Sequence, residues 1–162
     1  MLIEPIVYVT GVPITIPGYG RVSWFGGPDD NTMGRFETLA LYPTTRRWDL
    51  DPNDFYCALP VQWRQGPFAI RQRREGYWPW RDVRDWWRAQ RIVWVRPDFQ
   101  RAVVTRVVDL GPNWKMMRVG DLSPGAMTAL GVKTDDPVYS GFGDPALPLG
   151  PIDPVKLGIR PK

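Results

Sequence analysis

The stretch from residue 103 to residue 131 reads VVTRVVDLGPNWKMMRVGDLSPGAMTALG and decides the fold. Its β-branched first residues predict a strand, and a Gly-Pro turn that displays Asp109 follows that strand. Ser123 is a favoured N-cap, Pro124 suits the first position of a helix, and Gly131 suits the residue just past its end. The stretch therefore predicts one unit made of a strand, an acid-bearing turn and a short capped helix.

This unit resembles the signature of the rare lipoprotein A family of double-psi β-barrels, in which a valine-rich strand runs into N-D-R-G-P and then into a D-L-S helix that ends at L-G. The matching residues are Asp109-Leu110-Gly111-Pro112 and Asp121-Leu122-Ser123, followed by Ala126, Leu130 and Gly131. Further pieces in the family's order are Gly20-Arg21-Val22-Ser23-Trp24-Phe25-Gly26, Ala58-Leu59-Pro60 and Ile92-Val93-Trp94-Val95. The resemblance implies a mainly β fold, a six-stranded double-psi β-barrel with one or two short helices.

The chain departs from the family pattern in two ways. Family members that cleave glycan resemble a lytic transglycosylase with an Asp in the D-x-G-P turn and a His in an A-H-K-T-L-P segment. This chain contains no histidine, and Tyr56 stands where that His would be. Residues 61–91 lie between two pieces that only a few residues separate in the family, so we expect a Trp- and Arg-rich insertion in the barrel.

The domain organisation predicted from these pieces has three parts. We expect an extended N-terminal arm over 1–20, the barrel over 21–140 and an extended Pro/Gly-rich tail over 141–162. A chain of 162 residues is long enough to bury a core. Its 18 prolines and 16 glycines favour many short strands joined by turns.

Composition argues against several kinds of site and partner. Cys57 is the only cysteine, which excludes an internal disulfide, and zinc sites are rarely built from carboxylates alone. We therefore expect no metal and no cofactor. Eleven arginines face four acids between Arg64 and Arg106, but Asp82 and Asp85 interrupt this basic stretch and no nucleic-acid motif accompanies it. We expect other protein subunits, and not nucleic acid, as partners.

The first ten residues lack the basic and apolar regions of a signal peptide. No run approaches the roughly 20 apolar residues that a membrane span requires. We therefore expect synthesis in the cytoplasm without a signal peptide and without a membrane span, so that the protein either stays there or leaves by another vehicle. A virus particle that is assembled there and carried to the next cell's wall would reconcile this with a cell-wall fold, so we expect the protein to be virion-associated.

Asp109 is the first catalytic candidate, because one Asp of raised pKa can protonate a glycosidic oxygen and then accept a proton from the attacking sugar hydroxyl. The alternative is that it caps its turn by accepting hydrogen bonds from backbone amides. Asp121 is a weaker candidate, since the helix dipole already favours a carboxylate there, although across a groove from Asp109 it would form a glycosidase-like pair. Tyr56 is also weak, because a phenol is a poor base at neutral pH.

Aromatic residues in and near the insertion could form a protein interface, core or a sugar-stacking platform. Trp86 and Trp87 are adjacent on a predicted short helix and cannot both face inward, so we expect one of them to be covered by a partner or by the chain's own tail. The predicted interface consists of Trp78, Trp80, Trp86 and Trp87 with Arg84 and Arg88.

Together these observations predict a structural or adaptor subunit of a larger assembly, with a phage tail or baseplate as the first expectation. Its barrel would carry a degenerate catalytic site. The alternative is a peptidoglycan lytic transglycosylase or a glycan-binding module that uses Asp109, in which case peptidoglycan glycan is the ligand.

Overall fold

The computed structural model describes residues 6–9, 12–15, 19–59, 80–111 and 118–157. The β-branched segments within these ranges form strands, and two short segments form helices. The strands are β1 (Ile6–Val9), β2 (Val12–Thr15), β3 (Tyr19–Trp24), β4 (Tyr56–Leu59), β5 (Arg91–Val95), β6 (Ala102–Leu110), β7 (Arg118–Leu122), β8 (Pro137–Gly143) and β9 (Gly150–Ile152). The helices are α1 (Trp80–Arg88) and α2 (Pro124–Leu130).

Six of these strands close into a barrel. Their order is β4-β7-β3-β8-β5-β6, and pairing between β4 and β6 completes the circle. Two pairings, β3 with β7 and β4 with β6, are parallel, whereas the others in the circle are antiparallel. The expectation of a mainly β chain with a six-stranded barrel and two helices is thus confirmed at the level of a closed mixed barrel.

The longest strand, β6, is buried on both faces, which explains why its sequence is apolar without alternation. Val103 and Val107 lie in the main core, whereas Val104 and Val108 belong to two smaller clusters on the other face. A strand that is buried on both faces has an unbroken hydrophobic run. The buried hydroxyl of Thr105 is satisfied, since it accepts a hydrogen bond from the Trp94 indole at 2.9 Å.

The predicted strand and capped helix are both confirmed. Ser123 caps α2 by accepting a hydrogen bond from the Ala126 amide at 3.1 Å, and Pro124 is the first helical residue. Gly131 ends the helix in the left-handed conformation, φ 71°, and its amide donates to the Met127 carbonyl. This unit places Asp109 near the end of β6 and Asp121 on β7, just before the cap.

Regular structure also forms before and after the barrel strands and in part of the predicted insertion. β1 and β2 form a separate two-stranded hairpin. Residues 141–157, part of the predicted tail, supply the end of β8, the strand β9 that pairs with β6, and a 3-10 turn at Pro154–Leu157. The predicted insertion includes α1, and its residues 61–79 lie outside the described residues, as does Pro60 before it. In the described ranges, neither helix has the length and apolarity needed to cross a membrane.

Candidate functional site

Residues 25–54, which connect β3 to β4, fold over the outside of the barrel, and we call them the collar. Collar residues form a small apolar cluster with residues of β4 and β6, and this cluster holds the collar in place. The members of this cluster are Phe25, Leu39, Leu50, Tyr56, Ala58 and Val108. The predicted catalytic residues Asp109, Asp121 and Tyr56 all lie on or next to the strands that the collar covers.

The Asp109 carboxylate is 3% exposed and makes a full set of contacts. One oxygen accepts hydrogen bonds from the backbone amides of Ala40 and Leu110, each at 2.9 Å. The other oxygen lies 3.1 Å from both Nε and Nη2 of Arg47. Both Ala40 and Arg47 belong to the collar, so Asp109 fastens the collar to the barrel.

Asp121 lies on the other side of β4 from Asp109. Ala58 is the register partner of Asp109 in the parallel pairing with β6 and of Asp121 in the antiparallel pairing with β7. Paired residues point to the same face of a sheet, so both carboxylates lie on the collar side, with their backbones two strand spacings or about 10 Å apart. The structure therefore brings the two predicted acids together.

Unlike Asp109, Asp121 is incompletely bonded. Its buried Oδ1 has no hydrogen-bond partner among the described residues. The pKa of Asp121 is raised to about 6, mainly by burial, while Arg118 and Arg47 act to lower it and the negative charges of Asp109 and Asp30 act to raise it. Asp121 is thus the carboxyl group in this region that can exchange a proton near neutral pH.

Asp30 and Arg47 complete the arrangement, although neither was predicted from the sequence. Asp30 accepts hydrogen bonds from the amides of Gly26 and Thr32 and from the Thr32 hydroxyl at 2.6 Å. Burial raises the pKa of Asp30, but these hydrogen bonds and Arg47 outweigh it, so the pKa lies below its usual value. An Asp-x-Thr sequence in a Gly-rich loop is a signal for such a cap, whereas nothing local marks Arg47.

Tyr56 lies beneath the collar and is fully buried. Its hydroxyl donates a hydrogen bond to the Phe25 carbonyl at 3.1 Å, and its ring meets the Phe25 ring edge to face. Burial, followed by the charges of Asp30 and other nearby acids, raises its pKa well above the usual value. The phenol therefore holds the start of the collar and stays protonated at any physiological pH.

The chemistry available here is limited by these contacts. Asp109 has its oxygens occupied by two amides and a guanidinium, so neither oxygen is oriented toward a ligand. Within the described residues, no group of three or more Cys, Asp or Glu side chains is arranged to hold a metal ion. What remains is Asp121, an incompletely bonded carboxyl group of raised pKa beside the collar.

The predicted interface residues on α1 have different surroundings. Trp87 is fully buried in the main core and stacks on Phe142 with ring centroids 6.0 Å apart. Trp86 is partly buried against Trp87 and Phe142. Trp87 is therefore the one indole of the pair that faces inward. Phe142, which contacts both indoles, belongs to the segment predicted as the tail.

The predicted arginines on α1 contact their own molecule. Arg88 donates from Nε to the Leu41 carbonyl at 2.5 Å, and its guanidinium lies 4.2 Å from the centre of the Tyr42 ring. Arg84 lies 3.6 Å from the Asp85 carboxylate. Arg88 thus joins α1 to the collar. Trp80 begins α1, and Trp78 lies outside the described residues.

A different apolar surface is exposed on the collar. Met33 is 94% exposed, Phe36 49% and Trp48 40%. The Phe36 and Trp48 rings meet edge to face at 5.1 Å, and the Trp48 indole is fixed by donating to the Pro28 carbonyl at 3.0 Å. These residues were not predicted from the sequence, because isolated aromatic residues in a Gly- and Pro-rich loop carry no periodic signal.

A cleft of about 430 Å³ adjoins this surface at the end of the barrel. Trp24, itself 37% exposed, lines it together with Pro52 and Met127. Asp29 and Lys133 supply its charged groups. Asp29, which lines the cleft, directly follows Pro28, whose carbonyl accepts the hydrogen bond from the Trp48 indole. The cleft therefore continues into the exposed collar surface at Trp48.

Comparison with protein-family models and with curated proteins gave no match for this chain.

Proposed function

We propose that this chain is a non-catalytic structural or adaptor subunit of a protein assembly, built on a double-psi β-barrel of the rare lipoprotein A kind. The two parallel pairings within an otherwise antiparallel six-stranded barrel support the double-psi arrangement. The order of the motif residues along β3, β4, β6 and β7 supports the family resemblance. That the assembly is a phage tail or baseplate stays a prediction from the sequence.

One observation carries the non-catalytic part of the proposal. The two positions to which the resemblance assigns the acid and the histidine, Asp109 and Tyr56, both fasten the collar to the barrel. A general acid must reach the oxygen that it protonates, and an acid enclosed by amides and a guanidinium does not. Those positions therefore serve the stability of the collar.

A second candidate function is glycan cleavage or binding, and Asp121 is the observation that favours it. A carboxyl group with an unbonded oxygen and a raised pKa has the properties of a general acid. In this alternative Asp121, and not Asp109, would transfer the proton.

Two measurements test the proposal. Purified protein incubated with peptidoglycan should release no anhydro-muropeptides. Asp109→Asn should lower the free energy of unfolding by roughly 2–3 kcal/mol, because it leaves the guanidinium of Arg47 without its carboxylate in a largely buried site. The matched control is Asp98→Asn, since Asp98 also pairs with an arginine, Arg96, but at the surface, and should leave stability nearly unchanged.

Release of anhydro-muropeptides that disappears in Asp121→Asn would establish the second function. Release that disappears in Asp109→Asn, with stability unchanged, would overturn the structural role assigned to Asp109. A large loss of stability in Asp109→Asn without any glycan release supports the proposal.

A further inference from the structure

The exposed surface of the collar combines apolar rings with negative charge. Its side chains include Met33, Phe36 and Trp48, and the Trp24 cleft continues the surface. Asp30 and Arg47 are turned toward the barrel, which leaves five outer acids against two arginines. The acids are Asp29, Glu37, Asp49, Asp51 and Asp54, and the arginines are Arg35 and Arg46.

Such a surface suits a ligand that offers guanidinium groups together with aromatic rings. Guanidinium groups bind carboxylates and stack on aromatic faces, and the collar already shows this contact where Arg35 lies 4.6 Å from the centre of the Phe36 ring. Contiguous exposed apolar residues on a small domain usually mark an association site. The cleft beside Trp24 can take one large side chain.

The chain itself carries a segment of the complementary kind. Residues 61–79 contain four arginines against one acid, together with two tryptophans. The collar and this segment thus have opposite net charge within one sequence whose overall charge is only +4. Opposite charges on two different parts of one chain favour contacts in which copies join head to tail.

We propose that the collar surface with the Trp24 cleft docks the arginine- and tryptophan-rich segment 61–79 of a second copy of this chain. This inference rests on the proposed function as an assembly subunit and names its first partner. The contact is heterologous, because collar and segment are different surfaces. Repetition of it gives a closed ring or a filament of copies.

Two charge-reversed variants test the proposal. The collar variant combines Glu37→Arg with Asp49→Arg, and the segment variant combines Arg73→Glu with Arg74→Glu. Lys156→Glu, an exposed reversal outside both surfaces, is the matched control. The mass of each protein is measured by light scattering after size exclusion, at low salt and at 0.5 M salt, with circular dichroism as the check on folding.

The wild type and the Lys156→Glu control should form oligomers at low salt and return toward the 18.6 kDa monomer at high salt, because salt screens contacts between exposed charges. Each variant alone should be monomeric. A mixture of the two variants should again form oligomers, because the intact collar meets the intact segment and the reversed collar meets the reversed segment. Both sets of reversals in one chain should restore oligomers.

Three results would overturn the inference. The wild type could stay monomeric at low salt, or oligomers could persist in both variants. The variants could also be monomeric and stay so when mixed, which would show that the segment binds the collar of its own molecule or a different protein. In each case the absence of glycan cleavage would still support the proposed function, whereas glycan cleavage would refute that function without changing the masses.

Discussion

Replacing Asp121 by Asn should stabilise the protein, and the gain should grow with pH. The pKa of this carboxyl group rises from 3.8 to about 6 in the folded protein, mainly because the group is buried. A raised pKa means that the fold disfavours the carboxylate, so ionisation lowers stability. This loss begins as the pH rises through 3.8, where the unfolded chain ionises, and is complete above 6.

The magnitude follows from the shift. About two pKa units at 1.36 kcal/mol each correspond to about 3 kcal/mol at pH 7.5, and to about 1 kcal/mol at pH 4.5, where the unfolded chain is mostly ionised and the folded chain is not. Asn carries no charge at either pH. The difference in unfolding free energy between Asp121→Asn and the wild type should therefore increase by about 2 kcal/mol from pH 4.5 to pH 7.5.

Urea unfolding followed by tryptophan fluorescence measures this difference, since Trp87 and Trp94 are buried in the core. Comparing the same variant at two pH values cancels any constant effect of the Asn amide on packing. If the difference in unfolding free energy between Asp121→Asn and the wild type is equal at both pH values, or falls as the pH rises, then the fold does not disfavour the Asp121 carboxylate. Asp85→Asn, at an exposed carboxylate on α1, is the control and should show no such trend.

Two further predictions concern packing. Trp87→Ala should lower the free energy of unfolding by about 3–5 kcal/mol, whereas Trp86→Ala, at a partly buried neighbour, should lower it much less. Equal losses of unfolding free energy for the two variants, measured by urea unfolding, would contradict the finding that only Trp87 is fully buried. Gly26→Ala should cost at least about 1–3 kcal/mol, because Gly26 has φ 83° and a Cβ there would collide with the Tyr56 hydroxyl. The cost should shrink in a Tyr56→Phe background, and strict additivity in thermal unfolding would show that the two groups do not meet.

Local signals were sufficient for the centre of the fold. The strand β6 and the helix that starts after Ser123 and ends before Gly131 follow from β-branched residues and from capping, which depend on neighbours in sequence. The parallel pairings could be expected from the family resemblance but not from any periodicity. A strand's partner is set by packing over the whole barrel.

The candidate site was only partly predictable for the same reason. Asp109 and Asp121 were identified from their motifs, but the role of Asp109 depends on Arg47, which is 62 residues away in the chain. Which of Trp86 and Trp87 faces the core depends on where α1 lies against β8 and its Phe142. Both facts arise from tertiary contacts that leave no mark in the sequence nearby.

The closure of the barrel by β4 and β6 has a consequence for how the chain can change over time. The connection from β4 to α1 has fixed ends, since Leu59 pairs with Leu110 and Trp87 lies in the core. The entropic cost of a longer connection grows only with the logarithm of its length, about 0.6 kcal/mol for each doubling. Added length between these two ends therefore costs the fold little. The length of the chain at this point can thus change over time while the closed barrel stays the same.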